Sequence, residues 1–344
     1  MKAARFYEAG RPLQIEEVAM PEPGPGEVLV AVEAAGICGT DLHIALEGTI
    51  PPARTPITLG HEGGGRIATL GAGVEGWDVG DRVCFLPHAP CGQCWYCLND
   101  RETLCPRTEI FGLHRDGTFA EAVVVPARCL VALPTAIPFE QGAILSDAVA
   151  TAYHAVAVRA AVRPGKTVVV VGCGGVGHHA IWFARHQGAG RVIAVDVAAG
   201  PLRRALEAGA DATIDAREED VPRRVKTLTG GLGADLAVEC VGRAETVTAA
   251  LKCLRRGGRA VVVGVGPERV TLPPLQAFVG MDLALLGSMG SNRTDLEAVI
   301  AMVARGDMDL AGSVSATVLL AEINQALQRL AAQRGDDVRV VVAA

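Results

Sequence analysis

The rhythm of apolar and polar positions changes twice along the chain. Over roughly the first 125 residues the apolar positions come as brief β-branched runs closed by Gly, Pro or Asp: GEVLVAVEAAG (Gly26 to Gly36), EGGGRIATLG (Glu62 to Gly71) and DRVCF (Asp81 to Phe85). Such runs at short spacing predict strands of a small barrel or sandwich, with PGPG at Pro23 to Gly26 as a turn cluster before the first. Near Pro138 the text becomes one long helical stretch, FEQGAILSDAVATAYHAVAVRAAV, with the proline at its start. After Arg163-Pro164-Gly165-Lys166 the runs read TVVVV, VGHHAIWFARHQ, RVIAVDV, PLRRALEAG, ATID, ADLAVECVG, AETVTAALKCLRR and GRAVVVGVG, with DLALLGSMG (Asp282 to Gly290) as a sixth strand. Apolar strands alternating with amphipathic helices predict a parallel sheet covered on both faces. Beyond it, NRTDLEAVIAMVARG and LAEINQALQRLAAQ read as helices flanking a strand-like SATVLL, and VRVVVAA as a last strand. The expected class is α/β, with a doubly wound parallel sheet inserted in a mainly-β first domain.

At about 150 residues per domain, 344 residues make roughly two domains. Gly (41) and Pro (19) fall well short of the roughly 25–30% that marks disorder. The net charge of −6 comes without any run of Lys or Arg, which argues against nucleic acid or an anionic membrane surface as partner. The start, MKAARFYEAGRPLQ, lacks the apolar core of a signal peptide, and apolar stretches such as Thr167 to Val171 break off well before the roughly 20 residues of a spanning helix. A cytoplasmic protein is expected. Ten cysteines in a chain large enough to bury its own core, four of them within fifteen residues, point to metal binding before disulfides.

TVVVV runs straight into GCGGVG, which puts Gly172, Gly174 and Gly177 in the Gly-x-Gly-x-x-Gly positions before a helix. The first glycine permits the tight turn, the second lets backbone approach a pyrophosphate, and the third lets the helix pack on the strand. Asp196 ends the next strand, nineteen residues past Gly177. Its carboxylate can bond both ribose hydroxyls and would repel a 2′-phosphate, so NAD is expected over NADP.

Cys91, Cys94, Cys97 and Cys105 form Cys-x2-Cys-x2-Cys-x7-Cys. Four thiolates close a tetrahedral zinc shell, the pattern of a structural site. An iron–sulfur cluster and a nucleic-acid-binding ribbon are the rivals, but the run departs from the ferredoxin ending and the chain has no basic surface signal. A dispersed set adds a second possibility: Cys38 in AGICGTDLH, His61 and Glu62 in LGHEGGG, and Asp147 in ILSDAVATAYH. Each lies beside a turn glycine or a helix start, and together they offer soft, borderline and hard donors for an open zinc shell. His88, just before the cysteine run, reads either as packing or as the border of a substrate cleft.

CGTDLH, GHE, the four-cysteine lobe and GCGGVG with its later Asp, in that order and at these separations, resemble the zinc-dependent medium-chain alcohol dehydrogenases over essentially the whole chain. The resemblance implies a GroES-like catalytic domain, residues 1–147 plus 290–344, carrying a structural zinc lobe at about 88–106, and a Rossmann NAD-binding domain, 148–289. It implies two zinc ions per subunit. The catalytic ion is held by Cys38, His61 and Asp147, where some relatives carry Cys; Glu62 is an occasional fourth ligand or a carboxylate behind the site. Thr40 matches the hydroxyl that takes the substrate proton, and His43 the histidine that passes it through the cofactor ribose to solvent. Gly172, Gly174, Gly175, Val176, Gly177 and Asp196 meet the cofactor, Thr151 packs on the nicotinamide, and Arg339 is a pyrophosphate partner. Gly39 departs from the pattern, since some relatives carry a basic residue there.

The implied reaction is reversible hydride transfer between a primary or secondary alcohol and NAD, giving an aldehyde or ketone; zinc lowers the pKa of a bound oxygen to about 7 in favourable sites. A polyol, sugar-alcohol or threonine-type dehydrogenase of the same family is the alternative. The resemblance also implies a homo-oligomer, a tetramer before a dimer, with the strand near Leu283 to Leu286 pairing across a two-fold axis.

Overall fold

The computed structural model describes residues 1–332 and 337–343, and these divide into two compact units. One comprises Met1–Ala150 with the described residues from Gly290 to 332 and from Arg339 to 343; the other comprises Thr151–Met289 with Asp337 and Val338.

The first unit is built on a seven-stranded sheet in the order Leu130–Ala132, Arg82–Phe85, Glu62–Leu70, Glu27–Ile37, Val340–Ala343 and Ala316–Leu319, with Ala122–Pro126 also pairing with Glu27–Ile37. The central strand Glu27–Ile37 buries Val28, Val30, Val32, Ala34, Ala35 and Ile37. Glu62–Leu70 runs antiparallel to it with Gly36 opposite Glu62, and Val340–Ala343 runs antiparallel on the other side with Val340 opposite Ile37. Residues far apart in sequence thus end at one edge of three adjacent strands. Gly36 is required there, because a Cβ at that position would overlap the Glu62 carboxylate.

The helical stretch after Pro138 is continuous but not uniformly α. Phe139–Ile144 is α-helical, Leu145–Val149 is a π-turn, Ala150–Tyr153 is α-helical again, and His154–Arg159 is a second π-turn. A π-turn adds a residue to the turn and rotates the side chains beyond it, a feature that gathers at functional sites. Asp147 lies in the first of them.

The second unit carries a six-stranded, all-parallel sheet in the order Ala212–Asp215, Arg191–Asp196, Thr167–Val171, Ala234–Glu239, Leu254–Val262, Ala284–Gly287. This is the doubly wound sheet expected, and the order reverses direction between Thr167–Val171 and Ala234–Glu239, where such sheets bind ligands. Val169, Val171, Ile193, Val195, Ile214, Leu251 and Leu254 form its core. Two helices of this unit, Val221–Leu228 and Leu275–Gly280, escape the sequence pattern. Val221–Leu228 crosses between ATID and ADLAVECVG, capped by Asp220, whose side chain accepts from the Arg223 N–H at 2.8 Å, and with a proline in its first turn. Its apolar positions Val221, Val225 and Leu228 are spaced for one buried face, but three basic residues among eight mask them.

Candidate active site and metal centres

At the edge of the first unit's sheet, Cys38 follows the strand Glu27–Ile37, Glu62 opens the next strand, and His61 precedes it. Leu145–Val149 packs on the Glu62–Leu70 strand and delivers Asp147. One donor atom from each of Cys38, His61, Glu62 and Asp147 lies within 4.8 Å of the others. Cys38 Sγ is 3.6 Å from Asp147 Oδ2, and His61 Nε2 is 3.5 Å from the same oxygen. The four dispersed candidates are therefore one cluster. A thiolate, an imidazole and carboxylate oxygens are the donor set that zinc takes at a site with an open position.

The electrostatics of the cluster favour a cation. Burial opposes the charge on His61, yet the Asp41 carboxylate and hydrogen bonds to Asp147, Asp41 and Cys38 outweigh it and push the imidazole well above its ordinary value. Burial also opposes ionisation of Cys38, and the Arg339 guanidinium with a hydrogen bond from His61 brings the thiol below its ordinary value. For Glu62, wholly buried, desolvation prevails over the pull of Arg339 and the carboxyl lies well above the usual range. Among the described residues its Oε2 finds no hydrogen-bond partner.

Two members of this cluster were not visible as such in the sequence. Asp41, 1% exposed, accepts from the Cys38 N–H at 2.8 Å through Oδ2 and turns Oδ1 toward His61 Nδ1 at 3.7 Å. A carboxylate behind a metal-binding histidine fixes the ring's orientation and tautomer. The signal for it was the acidic residue three positions after Cys38. Arg339, expected at the cofactor's pyrophosphate, is buried against the cluster, with Nη2 at 2.7 Å from Glu62 Oε1 and 3.6 Å from Cys38 Sγ.

Thr40 and His43 lie on the helical turns just after Cys38. Thr40 Oγ1 is 3.8 Å from Cys38 Sγ, and the partly exposed His43 is held through Nδ1 by Glu47 at 2.8 Å. Three residues apart, they share one helix face. Thr151 is buried in the helix Ala150–Tyr153.

Cys91, Cys94, Cys97 and Cys105 make the second cluster. Cys94 and Cys97 Sγ are 3.4 Å apart and Cys91 and Cys97 Sγ 3.9 Å. Zinc–sulfur bonds of about 2.3 Å in a tetrahedron put sulfurs about 3.8 Å apart, whereas a disulfide needs about 2.05 Å. The Gln93 N–H holds the Cys91 thiol down, to about 6, and Arg107 Nη2 donates to its Sγ at 3.2 Å; burial pushes Cys97 up to about 12. Cys84, Cys129, Cys173 and Cys253 are buried, whereas Cys240, which its sequence setting also suggests as a buried small hydrophobe, is only half-buried.

In the second unit Gly172 adopts φ +85° and Gly174 caps the helix Gly175–His186. Any Cβ at Gly177 would strike the Gly172 carbonyl oxygen. Asp196 Oδ2 accepts from the Cys173 N–H at 2.7 Å, so the carboxylate at the end of the second strand is tied to the glycine turn. Val197 and Ala198 N–H groups donate to its Oδ1.

Residues 24–135 match the family model described as "Alcohol dehydrogenase GroES-like domain", and residues 175–305 match "Zinc-binding dehydrogenase". An alcohol dehydrogenase of Geobacillus stearothermophilus is 37% identical over 89% of this chain and 90% of its own. The chain belongs to the zinc-dependent medium-chain alcohol dehydrogenase family. An L-threonine 3-dehydrogenase of Pyrococcus horikoshii is 36% identical over 84% of this chain and 83% of its own. Among solved structures, alcohol dehydrogenase TADH from Thermus sp. ATN1 superposes with a TM-score of 0.92 at 32% identity, covering 100% of this chain and 99% of that one. Within this family the four-cysteine lobe fits the structural metal and the Cys38 cluster the catalytic one.

Replacing Cys94 by Ser is expected to lower bound zinc from two ions per chain to one and to lower the thermal midpoint, since structural zinc contributes folding free energy directly. Metal analysis beside a thermal melt measures both; two ions retained would dissociate this cluster from zinc.

Proposed function

We propose that this chain catalyses reversible oxidation of a primary or secondary alcohol to an aldehyde or ketone, with NAD as hydride acceptor and one catalytic and one structural zinc per chain. The convergence of Cys38, His61, Glu62 and Asp147 in one cluster beside Thr40 carries this reading. The first unit, which holds both clusters, is the catalytic domain, and the second is the NAD-binding domain.

Cys38, His61 and Asp147 would hold zinc, which would supply the Lewis acidity needed for an alcohol to lose its proton near neutral pH. Thr40 takes the hydrogen bond from the substrate hydroxyl and receives that proton. His43, on the same face and near solvent, hands it on, with Glu47 orienting its ring. Asp41 orients His61, and Arg339 sets its positive charge against the Glu62 carboxyl and the Cys38 thiol while its remaining nitrogens serve the cofactor's pyrophosphate. Gly172, Gly174, Gly175, Val176 and Gly177 receive the pyrophosphate at a helix N-terminus. Asp196 binds the ribose hydroxyls, and Thr151 packs on the nicotinamide.

The same proposal includes a homotetramer in a cytoplasmic setting. Ala284–Gly287 is an edge strand flanked by the exposed Leu275 and Val279, and an apolar edge is a liability unless paired. All ten cysteines are free thiols, which suits a reducing compartment. Among the described residues no helix is long and apolar enough to cross a membrane.

Cys38→Ser and Asp147→Ala are expected to abolish turnover and leave NAD binding intact, checked by steady-state assay beside cofactor titration; an active variant removes that residue from the ligand set. Asp196→Gly is expected to erode the preference for NAD, so kinetics with both cofactors that match the parent would refute its role. Sedimentation is expected to return the tetramer mass, and a monodisperse monomer would remove the edge-pairing argument.

A further inference from the structure

The backbone that follows His61 and Glu62 is three glycines, Gly63 to Gly65, the residue type with the widest backbone freedom. Glycine is required at 63, since a Cβ there would lie 2.6 Å from Phe85 Cζ and 2.7 Å from Thr118 Cγ2. Two buried hydroxyls restrain this stretch, and neither has a part in the alcohol oxidation proposed above. Thr118, 1% exposed, donates from Oγ1 to the Glu62 carbonyl oxygen at 3.1 Å, and its own N–H donates to the Gly60 carbonyl oxygen at 3.0 Å. Ser146, fully buried, accepts from the Gly63 N–H at 3.3 Å and donates from Oγ to the Ala143 carbonyl oxygen at 2.6 Å. It lies in the π-turn Leu145–Val149, one residue before Asp147.

The Glu62 carbonyl and the Gly63 N–H belong to one trans peptide unit, in which they point in opposite directions. Hydroxyls gripping both ends therefore hold the peptide plane against rotation. Thr118 also brackets His61, through its bonds to Gly60 on one side and Glu62 on the other. Ser146 adds a link between elements, because its Oγ joins the strand two residues past His61 to the turn one residue before Asp147. The ladder between Glu62–Leu70 and Arg82–Phe85 ends at Gly64 opposite Cys84, and the Ser146 bond takes up where it stops. Without that hydroxyl the buried Gly63 N–H loses its partner, at a cost that favours a shift of strand or turn. Such a shift alters the 3.5 Å separation of His61 Nε2 and Asp147 Oδ2.

We propose that Ser146 and Thr118 are positioning residues for the Cys38 centre: they lock the Glu62–Gly63 peptide, tie it to the π-turn, and so hold His61 and Asp147 at the separation that lets both bind one zinc ion. This rests on the zinc centre proposed above and adds what keeps two of its ligands in register. Groups that orient metal ligands from behind contribute to metal affinity without touching the metal.

The zinc-loaded full chain is titrated with a competing chelator and the retained metal is counted, beside a thermal melt. The readout is the dissociation constant of the zinc ion that Cys38→Ser removes, with the four-cysteine ion as internal reference. It is expected to rise roughly 10–100-fold in Ser146→Ala and in Thr118→Val, which keeps the shape of threonine without its hydroxyl. It is expected to stay at the parent value in Thr118→Ser, which keeps the hydroxyl. Val225→Ala, a truncation in the core of the second unit, is expected to lower the thermal midpoint and leave this constant unchanged. If Ser146→Ala and Thr118→Val lower the thermal midpoint but hold the ion as tightly as the parent, the two hydroxyls only satisfy buried backbone and the proposal is overturned. Equal losses in Thr118→Ser and Thr118→Val overturn it as well, and this pair decides alone where Ser146→Ala does not fold. A parent with no zinc ion that Cys38→Ser removes overturns the metal reading of the cluster itself, and the positioning role with it.

Discussion

The register of three neighbouring strands governs the candidate catalytic centre. With Gly36 opposite Glu62 and Ile37 opposite Val340, the residue after one strand, the first residue of the second and the residue before the third arrive together: Cys38, Glu62 and Arg339. A slip of one residue in either pairing would turn these side chains to the other face of the sheet. The buried guanidinium is what lets a thiol and carboxylates share so small a volume. An unpaired buried charge is far more costly than a paired one, and Arg339 is paired within 2.7 Å of Glu62.

The fourth donor comes from a different kind of element. Asp147 is set by a helical turn instead of a strand ladder, and that turn is π. Three donors thus depend on sheet hydrogen bonds and one on a local change of helix phase. The Asp41 carboxylate accepts from the Cys38 N–H across three residues, which couples the orientation of His61 to the start of the helical turns bearing Thr40 and His43. The proposed metal centre and proton path are therefore supported by one short stretch of chain.

What could be read in the sequence depends on chain distance. The glycine turn with Asp196 and the four-cysteine lobe are local patterns, and both the parallel sheet and the thiol cluster are where the spacing placed them. The dispersed quartet could be named from residue types and family likeness, though its convergence depends on pairings between distant segments. Arg339 against Glu62 was not legible, since no local pattern reveals which residue faces which across strands some three hundred residues apart. The helix Val221–Leu228 was hidden by its own charge, its apolar face being only three side chains wide. The π-turns of the stretch after Pro138 left no mark in the hydrophobic rhythm, because one added residue shifts the phase too little over so short a stretch.

The strand Val340–Ala343 has one further consequence, which concerns time. Its partner Glu27–Ile37 emerges from the ribosome some three hundred residues earlier, and the whole parallel-sheet unit is synthesised between the two. Domains fold as units in the order they are made. The four-cysteine lobe, complete within fifteen residues, can therefore form while translation continues, whereas the Cys38 cluster lacks its buried counter-charge until Arg339 has been added. The two centres of one chain mature on different schedules, the lobe during synthesis and the reaction centre only after the last strand has docked.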